Sequence, residues 1–163
     1  MLDHARTACR FMLGYAEKLT ADLTDEDWNR RVAPGANPPS WIMGHLAISS
    51  DYGFRLLGLK PNCPREWHDA FGPDFARKGP PIELNVSRAE VLQRFNDGYT
   101  QLMASAADAD PAVIARPNGV PFFQPTPIQT VGEALAHLMT SHLGQHLGQL
   151  SYWRRIAGRP VMF

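Results

Sequence analysis

Cysteine is scarce in this chain of 163 residues, which carries only Cys9 and Cys63. Two thiols cannot build a disulfide framework, and neither belongs to a Cys-x-x-Cys metal element, so a reduced state and a cytoplasmic location are expected. Net charge is missing as well, because 16 Lys and Arg offset 16 Asp and Glu. That balance removes the broad basic footprint required by phosphate backbones and anionic bilayers, so no nucleic-acid or membrane partner is expected. The opening Met1-Leu2-Asp3-His4-Ala5-Arg6 has neither the basic lead nor the apolar core of a secretory signal. Alternating strand patterns, internal repeats and low-complexity tracts are also lacking. A single domain over 1–163 is expected, and a chain of this length buries about 70 % of its unfolded surface without needing staples.

One charge-free run needs explanation. Residues 134 to 153 contain no acid, lysine or arginine, and twenty residues could cross a bilayer. The run nevertheless holds His137, His142, His146, Gln145, Gln149, Thr140, Ser141 and Ser151, which are costly in hydrocarbon. It reads as a helix covered by protein on most faces, at the centre of the fold and with room for a subunit interface.

Four helices emerge from the periodicity. Leu2, Ala5, Cys9, Met12, Leu13, Ala16 and Leu19 recur at three and four residues and define a first helix over about 2–20. A short capped turn at 23–28 and a proline-rich turn at 34–39 follow. A second helix runs from Ser40 or Trp41 to Leu57, with Gly58 as its left-handed stop. Residues 59–86 hold five prolines and read as an ordered loop or lid, anchored by Trp67 and Phe71, which shapes a pocket mouth or carries a short helix. The capping box Ser87-Arg88-Ala89-Glu90 opens a third helix that reaches Ala107. A second proline-rich connection precedes a fourth helix, which starts at Pro127 or at the box Thr130-Val131-Gly132-Glu133. That helix ends at Ile156-Ala157-Gly158, with Arg154 and Arg155 at its negative dipole end. The fold class is therefore an all-α four-helix bundle, and connections of this length do not require simple up-down order.

Six histidines are present, and spacing sorts them. His142 and His146 lie about 40° apart on a helix, so both rings can converge on one ion. A third donor must come from another helix, with His45 and His4 as candidates. His137 stands about 140° from His142 on a regular helix and would have to break it to join. His4, His68 and His137 read as packing histidines with one ring nitrogen satisfied. Position 143 is leucine, so the zinc-protease pattern is absent, and no Glu-x-x-His pair marks a di-iron bundle.

Three segments together resemble the DinB superfamily: Trp41-Ile42-Met43-Gly44-His45-Leu46, Thr130-Val131-Gly132-Glu133-Ala134-Leu135, and His142-x-x-x-His146-Leu147-Gly148-Gln149-Leu150. The likeness to these DinB-like, YfiT-like metalloproteins covers nearly the whole chain. It implies an up-down-down-up four-helix bundle, commonly homodimeric. It also implies a tri-histidine site of His45, His142 and His146 for a divalent ion such as zinc or nickel, with water in the open positions. Relatives by this resemblance include thiol S-transferases, a thiol-dependent isomerase and metal-dependent hydrolases.

Three neutral nitrogen donors leave an ion its full charge and an exchangeable position. The expected chemistry is activation of a low-molecular-weight thiol, or of water, against an electrophilic small-molecule substrate. Gln149 shares the face of His142 and His146, where it orients a ligand or water or makes a helix-helix hydrogen bond. Gly148 permits a close backbone approach. Trp41, Ser49 and Tyr52 share the face of His45, and Tyr52 is either a donor to the site or core packing. Cys63 lies in a loop that can reach the site, but a free inert thiol is the plainer reading. A metal- or ligand-binding stress-response bundle without catalysis is the rival, distinguished by a fourth protein ligand. A DNA-acting role has only the superfamily name behind it and the neutral charge against it.

Overall fold

The computed structural model describes residues 2–73 and 84–162. Much of the expected lid, 74–83, lies outside the described residues. Four long helical segments carry the fold: α1 (Asp3–Thr20), α3 (Pro39–Leu56), α5 (Arg88–Asp108), and a composite of α7 (Val131–His137), a π-helical turn (Leu138–His142) and α8 (Leu143–Ile156). Short helices occupy the connections: α2 (Asp25–Asn29), α4 (Arg65–Phe71) and α6 (Pro111–Ala115). No strand occurs among the described residues, where an isolated bridge pairs Pro117 with Thr130. No described helix is long and apolar enough to cross a membrane.

Side-chain pairs fix the direction of each helix. A Cβ on Gly98 would meet Ser50 and one on Gly53 would meet Leu102, so α3 and α5 advance together. Met12 approaches Gly144, and Arg154 binds the Leu19 carbonyl, so α1 and α8 also run parallel. Trp41 faces His146 while His45 faces His142, which makes α3 antiparallel to the last helix. The order is up-down-down-up, and the long connection from α3 to α5 carries the chain between parallel neighbours that a tight turn cannot join.

Local chemistry explains where elements begin and end. Full capping boxes start α2 at Thr24 and α7 at Thr130, and Ser87 caps α5 by accepting from the Glu90 amide. Gly58 (φ 76°) and Gly158 (φ 74°) supply left-handed stops that a side chain would strain. Helix α3 is buried on nearly every face from Ile42 to Phe54, and close packing against α5 requires glycine at 53 and 98. Gly148 differs from expectation: a Cβ there would touch nothing, so it serves no close approach.

The α2 cap also sets an acid limit on stability. Asp27 is buried, which opposes its ionisation, but the Thr24 amide and hydroxyl and the Arg159 guanidinium outweigh that and hold its carboxyl below the ordinary 3.8. A carboxyl depressed in the folded state contributes stability above its unfolded pKa, and that stability is lost as pH falls through the folded value. The urea midpoint is therefore expected to hold from pH 7 to about 5 and to fall below about pH 4. Asp27→Asn should lower the midpoint at pH 7 and flatten its acid slope. An unchanged slope in that variant contradicts this account of the cap.

Candidate metal centre

His45 comes from the middle of α3, His142 from the end of the π turn and His146 from the first turn of α8. One ring nitrogen from each lies within 4.8 Å of the others. Ring centroids are 4.5 Å apart for His45 and His146, 4.7 Å for His142 and His146, and 5.3 Å for His45 and His142. His45 is buried and the other two are half-buried, so the cluster sits at an edge of the core.

Hydrogen bonds orient two of the rings. His45 Nδ1 lies 2.8 Å from the Phe71 carbonyl, which can only accept, so the proton is on Nδ1 and Nε2 carries a lone pair. His146 Nδ1 donates to Gln149 Oε1 at 3.2 Å, which likewise frees its Nε2. Trp41 stacks flat on His45 at 4.9 Å and 5°. Gln149 therefore stands behind a ring, whereas Ser49 gives its hydroxyl to the His45 carbonyl on the helix itself. Tyr52 packs edge-on to His68 and under Arg55, away from the three rings.

All three imidazoles are held neutral. Burial pushes His142 down to about 3, helped by the repulsion between imidazolium charges that protonation beside His146, His45 and His137 would bring. Burial and His45 bring His146 to about 4 against the Gln149 bond, and burial lowers His45 against the Phe71 carbonyl. The bare Nε2 of His45 faces His142 Nε2 at 3.3 Å, and His142 Nδ1 is buried with no hydrogen-bond partner. Two donors each ~2.0–2.1 Å from one tetrahedral ion stand about 3.3 Å apart, so the donor set and the His45–His142 spacing fit a divalent cation.

The π turn changes the expected place of His137. Pairing at five residues instead of four brings residues five apart onto one side, and the His137 and His142 rings come within 5.7 Å. His137 Nδ1 bonds Ser141 Oγ at 2.7 Å, and its ring meets Phe123 edge-on. It borders the cluster without entering the set of three converging nitrogens. The 140° separation holds only for a regular helix, and nothing in the pattern of 134–153 marks the extra residue. His4 lies on the exposed face of α1. Cys63 is free and buried, and burial with Asp51 beside it pushes the thiol up to about 12, so it is the inert thiol of the plainer reading and no nucleophile.

The sequence profile of the DinB superfamily matches residues 8–150, a span that includes all three converging histidines. The chain belongs to the DinB superfamily. Among solved structures it is similar to YfiT from Bacillus subtilis, described as a probable metal-dependent hydrolase with an unusual four-helix bundle topology. That match has a TM-score of 0.70 at 15 % identity and covers 97 % of this chain and 88 % of that one. A likeness at such low identity establishes the shared DinB-type bundle, and the chemistry has to be argued from the site. No curated protein matches the sequence.

Proposed function

We propose that the chain is a divalent-metal enzyme, with zinc or nickel held by His45, His142 and His146, acting on an electrophilic small molecule. The observation that carries this reading is the convergence of three neutral ring nitrogens with no fourth His, Cys, Asp or Glu among the described residues completing the set. A closed structural site takes four protein ligands, whereas three leave a position for exchange. A divalent ion in such a site ionises water near pH ~7 or holds a thiol as thiolate.

The chain's own groups supply the rest. The Phe71 carbonyl and Gln149 fix ring tautomers, so no proton has to leave His45 or His146 at neutral pH before they can ligate. Trp41 covers one face of His45 and leaves the half-buried His142 and His146 side for approach. The description of YfiT as a probable metal-dependent hydrolase favours water as nucleophile. A low-molecular-weight thiol is the second candidate on the same centre, because the neutral donor set suits either.

The test compares metal-stripped and zinc- or nickel-loaded protein, with His146→Ala as control. Substrates are activated esters and amides, and electrophiles offered with small thiols. Turnover is expected only in loaded wild type, reduced at least a hundredfold in the variant. Equal inactivity of loaded and stripped protein across both panels, with metal bound, overturns catalysis in favour of a binding bundle.

A further inference from the structure

We propose that Asp51 is a positioning residue of the histidine centre, acting through α4, whose last carbonyl holds His45. The proposal rests on the metal-site reading above. Asp51 lies six residues beyond His45 on α3 and its side chain is fully buried. Its carboxylate accepts three hydrogen bonds from one short stretch of chain: the Asn62 amide at 2.7 Å, the Cys63 amide at 3.0 Å and His68 Nε2 at 2.9 Å. These donors lead into α4 and occupy its first turn.

The far end of α4 is fixed equally closely. The Phe71 ring lies on Gly44, where a Cβ would come within 2.6 Å of it, and Trp67 packs edge-on to Phe71 at 5.5 Å. Gly72 then passes the His68 carbonyl so closely that a Cβ would sit 2.5 Å from that oxygen. The seven-residue helix is thus pinned to α3 at both ends, Asp51 at one and His45 at the other. A helix this short has no independent stability, so its place on α3 depends on such pins. Burying a carboxylate is costly, and an apolar residue would fill the same space at less expense. What an apolar residue cannot do is gather two amides and an imidazole, and through them aim the Phe71 carbonyl at His45 Nδ1.

The test uses the full chain with cobalt(II) as probe, in wild type, Asp51→Ala, Asp51→Asn and Gly44→Ala. Visible absorption of the loaded protein and release of cobalt to a chelator report on the centre, and nitrogen-15 spectra of the metal-free protein report the His45 tautomer. Asp51→Ala is expected to release cobalt at least about tenfold faster, the scale of losing an outer hydrogen bond to a ligand. It should also shift the absorption bands and lose the fixed Nδ1–H form of His45. Asp51→Asn, which keeps one acceptor oxygen, should fall between it and wild type. Gly44→Ala, which displaces Phe71 from the opposite end, should reproduce the shift even if Asp51→Ala fails to fold. If the Asp51 variants lower thermal stability but keep wild-type bands, release rate and tautomer, Asp51 is merely structural and the proposal is overturned. A wild type that takes up no cobalt sinks the metal reading instead, and the tautomer measurement still decides the role of Asp51.

Discussion

His142→Ala is expected to abolish metal retention while leaving the helices in place. Elemental analysis of untagged protein after loading and desalting should find about one ion per wild-type chain and almost none in the variant, because two imidazoles cannot replace a three-ligand site. The His142 ring lies beside both others, and its Nε2 faces the bare nitrogen of His45. Removing it from the metal-free protein also removes a buried nitrogen without a partner, so the variant should not lose much stability of its own. Loading separates the two proteins. Free metal at a thousand times Kd stabilises by about 4 kcal/mol, which for a domain of this size raises Tm by roughly 8–16 °C. Wild type should show that rise and His142→Ala none, with matching helical circular dichroism. His137→Ala should retain the ion, because its nitrogen lies outside the converging set. Wild-type stoichiometry in His142→Ala would refute the assignment of the centre.

The parts of this architecture written in local sequence were readable before the structure, and the parts written in tertiary contacts were not. Spacing by threes and fours yields the long helices, and Thr130, Ser87 and Gly58 mark their ends because caps and left-handed stops need particular side chains. The pair His142 and His146 is visible for the same reason: four residues is a helical contact. The π turn leaves no such trace, since one extra residue in an apolar run changes no periodicity that a short window can detect. The spacing therefore does not show that His137 borders the cluster, although it does keep His137 out of the ligand set. Helix α4 was hidden among the prolines of 59–86. With it were hidden the Phe71 carbonyl that orients His45 and the Asp51 network, which joins residues 11 to 17 apart through a fold that must already exist. A carbonyl has no residue-type signature, so no reading of side chains alone could have assigned it this role.

Arg154 poses the same problem at the other end of the bundle, where the expected effect on stability is largest. Its sequence position beside Arg155 reads as a charge at the negative dipole end of a helix, yet it is 1 % exposed whereas Arg155 is exposed. The guanidinium forks onto both carboxylate oxygens of Asp22, and it also donates to the Leu19 carbonyl at 2.8 Å and to the Pro160 carbonyl at 3.1 Å. One side chain thereby joins the end of α1, the end of α8 and the tail. Removing one partner of a buried pair costs about 3–5 kcal/mol, and the partial exposure of Asp22 favours the lower figure. Arg154→Ala should therefore lower Tm by roughly 6–12 °C, since each kcal/mol shifts a domain of this size by about 2–4 °C. Lysine should rescue little, because one ammonium cannot span a carboxylate and two carbonyls in a planar fork. Arg155→Ala should stay within about 0.5 kcal/mol of wild type. The Arg154 hydrogen bond also holds Asp22 below its ordinary range, so part of the stability lost below about pH 4 should already be gone in Arg154→Ala. Equal thermal midpoints for Arg154→Ala and Arg155→Ala would mean that the fork contributes nothing and that helix packing alone joins α1 to α8.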